Sequence, residues 1–307
     1  MREEFQLLTP FVAAAVLGVL WIAEAIVPSI WPHGEQRVPW SLRLRNLFLA
    51  VPNGVIAGLF AGLTLLVTQW TGRVDFGVIN WVAPLVPSGA WGAVVLAIAA
   101  FCLLDFWHYA FHVMAHKVPL LWRFHVLHHN ADKFEATVAM RFHFCEVAVQ
   151  CLLSLPVYAI LGVSIEHVLL YNLVLLPVAM FHHADVGLPV WVDRVMRVFI
   201  VTPHMHVIHH SQWEPETDSN FSAVLSIWDR LFRSYRWRDD PATVEIGIEG
   251  YSEEQVRSVR EMLMTGLGQP ESAPGRFPDP QALPKQLRVR DRKWWRSRQR
   301  RVRRVEA

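Results

Sequence analysis

Long apolar runs alternate with polar segments along the N-terminal half of the chain. A helix needs about 20 consecutive apolar residues to cross the hydrocarbon core of a bilayer. Four runs approach or exceed that length and together hold one charged residue: residues 7–31, 47–70, 88–104 and 147–165. A fifth run, residues 168–181, is shorter and is predicted to form a short span or the return arm of a partly inserted hairpin. The pattern predicts an all-α integral-membrane bundle of four to five membrane helices.

Lysine and arginine cluster beside alternate ends of these runs. Between the second and third runs the chain offers only Arg73, and the turn at residues 164–167 has no basic side chain. The loops at the opposite ends hold seven: Arg37, Arg43, Arg45, Lys117, Arg123, Lys133 and Arg141. Because cytoplasmic loops of membrane proteins carry an excess of Lys and Arg, these loops and the C-terminus are predicted to form a cytoplasmic helical cap.

Fourteen of the fifteen histidines fall between residues 108 and 210, and most have helical spacing. They form four clusters: His108, His112 and His116; His125, His128 and His129; His182 and His183; and His206, His209 and His210. Positions i, i+3 and i+4 share one face of a helix, so each His-x2-His-His cluster projects three imidazoles in nearly one direction. That supply exceeds what one tetrahedral zinc ion needs. The clusters therefore predict a histidine-rich site for two metal ions, on the cytoplasmic side.

The doubled His-x2-His-His pattern is the most specific of these signals, since a lone histidine is more often a satisfied core residue. Buried imidazoles without partners are costly to desolvate. Thr202 fits the N-cap of a helix that carries the last cluster, and Pro203 fits its first turn. Three histidines stand apart from the clustered faces and are assigned structural roles: His33, His167 and His204.

The chemistry of such a site is narrowed by its location. Imidazole binds zinc, copper, iron and nickel alike, so ligand type leaves the metal open. At the mouth of a membrane bundle, a site can receive a lipid chain from the bilayer and electrons from a soluble carrier, and two irons can activate O2 to attack an unactivated C–H bond. Two-metal hydrolysis is the rival chemistry, but such sites use bridging carboxylates, which are sparse here. The alternative class is a membrane metal-binding or metal-transport protein, in which transport would place ionisable groups within several spans.

The remaining composition adds three predictions. Cys102, Cys145 and Cys151 lie in or beside apolar runs without a Cys-x2-Cys pair, which argues against a disulfide framework. Residues 285–304 hold eleven Lys or Arg and one acid. This tail is predicted to contact anionic lipid headgroups, the alternatives being a solvated disordered end or nonspecific contact with nucleic acid; no specific nucleic-acid binding is expected. The predicted regions are N-terminal membrane helices (1–104), a catalytic region (105–238), a cap or linker (239–284) and the tail (285–307).

The stretch from Asp105 to Tyr235 resembles the fatty acid hydroxylase/sterol desaturase superfamily of integral-membrane di-iron oxidoreductases. The resemblance rests on five motifs in the family's order and spacing: DFWHYAFHVMAHKVPLLWRFHVLHHN, TVAMRFHFCE, FHHADVGLP, VTPHMHVIHHS and NFSAVLSIWDRLFRSY. It implies two iron ions (Fe2+/Fe3+), O2 as co-substrate, and hydroxylation or desaturation of a lipid, sterol-like or carotenoid substrate taken from the bilayer. The implied metal ligands are His112, His116, His125, His128, His129, His183, His206, His209 and His210.

The resemblance also implies that six further residues lie beside the metals or the substrate. Asp105 matches an acid expected to orient a ligating histidine. His108 occupies a position where an aromatic residue is frequent, and His182 one where glutamine is frequent. A polar cluster that the family keeps near the site is matched by Arg141, His143 and Glu146. An element expected to hold the cap together is matched by Asn220, Trp228, Asp229 and Arg230.

Electrons must come from a separate protein on this interpretation. The sequence shows no fused haem, flavin or iron–sulfur module and no Gly-x-Gly-x-x-Gly motif. A ferredoxin-like or b-type cytochrome donor is therefore expected.

Overall fold

The computed structural model describes residues 2–27, 29–30, 38–131, 133–239, 241–248 and 258–267. Within them the regular elements are helices. Two isolated β-bridges pair Ile200 with Leu225 and Ser211 with Ile246. The α-helices are α1 (Arg2–Ile26), α2 (Trp40–Arg73), α3 (Val78–Val82), α4 (Ala90–Lys117), α5 (Pro119–His129), α6 (Phe144–Leu161), α7 (Ile165–His183), α8 (Val190–Phe199), α9 (Pro203–His209), α10 (Glu214–Thr217), α11 (Ile227–Leu231) and α12 (Val259–Met264). Three short 3-10 helices are Ala83–Leu85, Ala136–Met140 and Pro241–Thr243. The predicted all-α fold is confirmed, and the three cysteines are free.

Four helical stretches are long and apolar enough to cross a membrane: Trp40–Leu85, Ala90–Lys117, Phe144–Leu161 and Ile165–His183. The protein is therefore a multi-pass membrane protein. The last stretch, α7, is 19 residues long, so the run predicted as a short span or a hairpin arm is long enough for a full span. The apolar part of α1, Phe11–Ile26, is shorter than these four, and α1 ends before the predicted run does.

α4 carries the first histidine cluster beyond the apolar zone. It is 28 residues long, which corresponds to about 42 Å at 1.5 Å per residue, against a hydrocarbon core of about 30 Å. The apolar run ends at residue 104, but the helix continues through His112 and His116 because neither Gly nor Pro interrupts it before Lys117. Pro119 then occupies the first turn of α5, where its missing N–H leaves no helical hydrogen bond unmade.

α6 and α7 are joined by a tight turn with its own stop and start signals. Gly162 caps α6 with a left-handed φ of 66°. The backbone of Gly77 lies so close to Gly162 that a Cβ added at Gly77 would be 2.4 Å from the Gly162 nitrogen. Ser164 begins α7 through a capping box with His167, whose Nδ1 accepts a hydrogen bond from the Ser164 N–H. The structural role predicted for His167 is confirmed.

α1 packs along α7 and the 3-10 helix that follows α5. Leu17 and Met180 belong to one buried apolar cluster between them. The Glu24 carboxylate adds polar contacts, accepting hydrogen bonds from the backbone N–H groups of Ala136 at 2.9 Å and Asp185 at 3.3 Å. The N-terminal helix thus covers the end of α7 from which two histidines project.

The cap comprises residues 119–143 and 184–239, outside the four spans. α12 braces it from a region predicted as a cap or linker: Met262 is fully buried against Leu49 of α2 and Leu127 of α5. Part of the predicted linker is therefore packed structure. The predicted basic tail, residues 285–307, lies outside the described residues, as does His33.

Candidate metal centre

Nine histidines come together in two groups; eight lie on α4, α5, α7 and α9, and His210 directly follows α9. Within each group, one ligating atom per residue lies within 4.8 Å of all the others, close enough to share a metal ion. The five-histidine group is His112, His116, His125, His129 and His209. The four-histidine group is His128, His183, His206 and His210. These are the nine histidines implied by the sequence resemblance, divided between two sites.

Each His-x2-His-His cluster supplies both groups. On α5, His125 and His129 are four residues apart and enter the five-histidine group together. His128 is turned by about 100° from its neighbour, as the 3.6-residue helical repeat dictates, and enters the four-histidine group. On α9 the division is reversed, with His209 alone in the five-histidine group. In each cluster the middle histidine faces a different group from the outer two, so two short helices supply ligands to both sites.

Backbone oxygens fix two rings of the five-histidine group. The Nδ1 atoms of His112 and His209 lie 2.8 Å and 2.7 Å from the carbonyl oxygens of Phe221 and Ser219. A carbonyl oxygen only accepts hydrogen bonds, so each Nδ1 carries the proton and each Nε2 presents a lone pair. Both Nε2 atoms are buried without a hydrogen-bond partner. In metal-binding histidines, an oxygen that accepts a hydrogen bond from one ring nitrogen commonly directs the other nitrogen toward the metal in this way.

Carboxylates stand behind two other rings of the same group. His125 Nδ1 lies 2.7 Å from Glu146 Oε1, and its Nε2 is buried without a partner. His116 Nδ1 lies 3.5 Å from Asp218 Oδ1, while Asp218 Oδ2 pairs with Lys117 Nζ at 2.6 Å. Burial raises the pKa of Asp218 and the Lys117 ion pair opposes that rise. The sequence pointed to Glu146 but not to Asp218, which lies 101 positions from Lys117 and in no motif.

The four-histidine group turns its Nε2 atoms toward one another. The Nε2–Nε2 distance is 3.0 Å from His206 to His183, 3.2 Å from His183 to His128, and 3.2 Å from His210 to His206. Imidazoles that bind one ion tetrahedrally at about 2.0–2.1 Å hold neighbouring nitrogens about 3.3 Å apart. The group therefore has nearly the dimensions of a coordination shell, and its donors fit a metal ion.

Burial keeps these imidazoles neutral. It lowers the pKa well below the ordinary value of 6.5, with neighbouring imidazoles lowering it further, at five histidines outside the spans: His128, His129, His206, His209 and His210. A metal ion binds the neutral form of imidazole. The fold therefore maintains these side chains as ligands at neutral pH.

Asp105, expected behind a ligating histidine, instead ties α4 to α7 and the cap. Its Oδ1 accepts from the Tyr171 hydroxyl at 2.9 Å and the Val224 N–H at 3.2 Å. Its Oδ2 accepts from the Leu225 N–H at 2.9 Å and Trp228 Nε1 at 2.8 Å. These four donors satisfy both oxygens, so Asp105 tethers α4 to α7 and to the cap. The carboxylate beside His125 is instead that of Glu146, on α6.

His108 and His182 lie outside both groups. The Nδ1 of His108 is 3.1 Å from the Leu104 carbonyl oxygen, and its ring packs 4.7 Å from that of Tyr171. His182 is buried, its ring centroid lies 4.1 Å from that of His206, and its Nδ1 has no hydrogen-bond partner. His182 is thus beside the four-histidine group, and His108 is part of the packing of α4 against α7.

Arg141 and His143 brace the loop between α5 and α6. The buried Arg141 guanidinium donates to the Leu127 carbonyl at 2.9 Å and to Asn130 Oδ1 at 2.6 Å. His143 caps the start of α6, and its Nε2 lies 2.9 Å from the Leu263 carbonyl oxygen of α12. These bonds hold α5, which carries three of the nine histidines.

The element after the last cluster supports the site from behind. Asn220 adopts a φ of 52° and donates to the Met205 carbonyl of α9 at 2.9 Å. Asp229 accepts from the Phe221 N–H at 2.8 Å. Because the Phe221 carbonyl bonds His112, Asp229 positions that carbonyl indirectly. The cap-holding role expected for this element agrees with these contacts.

Together, the fold and the site define a multi-pass helical membrane protein in which buried histidines form two groups of metal-binding dimensions. Residues 97–234 match the family model described as fatty acid hydroxylase, and all nine histidines lie within that stretch. The match covers less than half of the chain, and this region is similar to the fatty acid hydroxylase family.

Three curated relatives share this region. Ornithine lipid hydroxylase OlsE of Rhizobium tropici is 28% identical over 187 residues, which is 61% of this chain and 53% of the relative. Alkylglycerol monooxygenase of Homo sapiens is 27% identical over 45% of this chain and 30% of its own length. A cholesterol 25-hydroxylase-like protein of Danio rerio is 31% identical over 44% of this chain and 53% of its own length. The chain thus spans about half or less of these relatives. No solved structure matches the chain significantly.

Proposed function

We propose that the protein is an O2-dependent di-iron oxidoreductase that hydroxylates a C–H bond of a membrane lipid or desaturates the lipid. The observation that carries this proposal is the division of nine buried imidazoles into two convergent groups. Imidazole alone suits several metals, and the similarity of residues 97–234 to the fatty acid hydroxylase family favours iron. Two bound irons would supply the activation of O2 that attack on an unactivated C–H bond requires.

The part of the protein itself is to hold and orient those ions. The five-histidine group would bind one ion and the four-histidine group the other. The carbonyls of Ser219 and Phe221 and the carboxylate of Glu146 keep Nδ1 protonated on their histidines and so direct Nε2 inward. Burial of the rings excludes water from the ligands.

A lipid substrate is supported by the location of the site and by the relatives. The relatives are named for an ornithine lipid, an alkylglycerol and cholesterol. The histidine groups lie where α4 and α7 end, so a chain that extends from the bilayer can reach them. We therefore propose a lipid or sterol-like substrate, with carotenoids as the remaining member of the predicted class.

The site is proposed to face the cytoplasm and a separate electron donor, ferredoxin-like or a b-type cytochrome. The excess of Lys and Arg in the loops on the histidine side supports this orientation. A C-terminal fluorescent-protein fusion should be bright and a C-terminal alkaline phosphatase fusion inactive. An active phosphatase and a dark fluorescent protein would place the C-terminus on the other side.

The activity is tested by anaerobic reconstitution with Fe(II), followed by O2, a reductant and a lipid extract. Mass spectrometry should show two irons per chain and a lipid that has gained an oxygen atom or a double bond. The variant His209→Ala tests the ligand assignment and should lower both iron content and product. Stable zinc binding without O2 consumption under any donor would instead support a metal-binding or metal-transport protein.

A further inference from the structure

Helix α8 has an unusual distribution of apolar side chains. Five of them are between 54% and 72% exposed: Val190, Trp191, Val195, Val198 and Phe199. Trp191, Val195 and Phe199 recur at i, i+4 and i+8, and Val190 and Val198 lie beside them, so the five form one continuous face of the helix. On a soluble protein such a face turns toward the core. Here it faces away from the protein.

The polar face of α8 is turned inward and is fixed there. Asp193 is buried, and its carboxylate accepts from the Thr202 hydroxyl at 2.6 Å and from Arg197 Nη1 at 2.9 Å. The Arg197 guanidinium also lies 3.5 Å from the ring centre of Trp237. The Asp193–Arg197 pair lies within α8, but rotation of α8 to bury its apolar face would break the contacts with Thr202 and Trp237, so the outward orientation is a built feature of the cap.

α11 extends the same exposed surface. The Arg197 carbonyl accepts hydrogen bonds from Arg230 Nη2 at 2.6 Å and from the Ser226 hydroxyl at 2.8 Å, which joins α8 to α11. The exposed side chains of the two helices therefore form one surface, here called the apolar apron: Val190, Trp191, Val195, Val198, Phe199, Ile227, Leu231 and Phe232.

The apron is continuous with the membrane-facing surface of a span. Phe232 stacks on Phe106 of α4 with ring centroids 5.5 Å apart, and Phe106 is itself partly exposed. On the other side, α8 begins at Val190, soon after α7 ends at His183. Arg194 supplies a positive charge on the exposed face of α8, which suits the phosphate groups at a bilayer surface.

We propose that the apolar apron docks on the lipid monolayer on the histidine side of the membrane. α8 and α11 then lie in the plane of the interface, with their apolar side chains at the boundary between headgroups and acyl chains. Arg194 reaches the phosphates from the same face. Continuity with α4 favours lipid over a protein partner, since any partner would have to displace lipid from Phe106 as well. The apron thereby fixes the depth of the histidine groups relative to the bilayer surface.

The test is depth-dependent quenching of a fluorophore attached to Val195→Cys or Val198→Cys in protein reconstituted into bilayers. With bromine on the shallow acyl positions, about half of the emission should be lost, because an interfacial helix lies about 5–10 Å into the headgroup region. Glu245→Cys, at an exposed position of the segment 241–248, is the matched control and should keep its emission. The unsubstituted chain gives the background from its own cysteines, and an unchanged melting temperature shows that each variant is folded.

Two other outcomes would overturn the proposal. Quenching of the Val195 label by aqueous iodide but not by brominated lipid would show that the apron faces solvent. Protection from both quenchers would show that a protein surface, such as a second copy of this chain, covers it. Neither outcome depends on the proposed oxygenase activity, so the two proposals fail separately.

Discussion

Glu146 and Asp218 approach the five-histidine group from distant parts of the chain. Glu146 hydrogen-bonds His125 from α6, and Asp218 stands behind His116 from the segment that follows α10. A carboxylate behind an imidazole fixes its tautomer and raises its basicity. Because Glu146 hydrogen-bonds His125 directly, its removal should change metal affinity.

Substitution of Glu146 tests this role. Glu146→Ala should weaken metal binding about 10- to 100-fold, the loss typical for a second-sphere partner. Glu146→Gln keeps an acceptor oxygen for His125 Nδ1 and should lose less. Equilibrium iron or zinc titration of the purified protein measures both, with the exposed Glu245→Ala as the control. An affinity for Glu146→Ala equal to that of the control would contradict the role of Glu146 in orienting His125.

The neighbours His182 and His183 provide a second test, since only His183 belongs to the four-histidine group. His183→Gln should lower the bound metal toward one ion per chain, because it removes a ligand that faces His128 and His206. His182→Gln should leave two. Elemental analysis of the purified proteins distinguishes them, and equal metal loss in both variants would show that the division into groups is wrong.

At the scale of single elements, α5 and α9 show which parts of the site can be predicted. The spacing His-x2-His-His gives the ligand residues and their common helical side. It did not give the division between two groups, because that depends on where α4 and α7 lie. The carbonyls of Ser219 and Phe221 carry no side-chain signal, so no sequence pattern could identify them.

The apolar runs predicted the spans well but not their ends. α4 continues past the run because its polar residues are compatible with a helix, and α7 begins earlier because Glu166 and His167 belong to its first turn. α8 was not anticipated, since the same apolar spacing fits a helix packed on a core. Its outward face is decided by Asp193, which accepts a hydrogen bond from Thr202, and by Arg197, which lies over the ring of Trp237.

The contact between Gly77 and Gly162 predicts a large difference between two glycine substitutions. Gly77→Ala adds a Cβ 2.4 Å from the Gly162 nitrogen at a φ of 101°, and a strained residue costs roughly 1–3 kcal/mol. Its melting temperature in detergent should fall. Gly58→Ala is the control: no atom lies within 4 Å of its Cβ, and Ala is favoured over Gly in a helix by about 1 kcal/mol. Equal melting temperatures would show that the close contact is absent.

At the scale of the whole molecule, the buried histidines make the metal-free fold sensitive to acid. Five of them have pKa values well below 6.5 in the folded state. The unfolded chain therefore takes up protons first as the pH falls below about 6.5, and stability decreases with it.

This linkage gives a measurable outcome. With chelator present, the melting temperature should be lower at pH 5.5 than at pH 7.5. The metal-loaded protein should lose less over the same interval, because ligands cannot take up protons until the ion leaves. A metal-free protein that melts at the same or a higher temperature at pH 5.5 would contradict the neutral state of these rings.

The tether at Asp105 imposes an order on the biogenesis of the protein. Its partners in the cap are 119 to 123 residues further along the chain, so a ribosome adding about 5–20 residues per second reaches them about 6–25 s later. Until then α4 holds a carboxyl group with incomplete pairing inside a span, where insertion measurements assign an acid about 2.5–3.5 kcal/mol. Tyr171 arrives first, with α7, and the cap follows. The carboxylate of Asp105 thus gains its full set of donors only after the chain has been synthesised as far as Trp228.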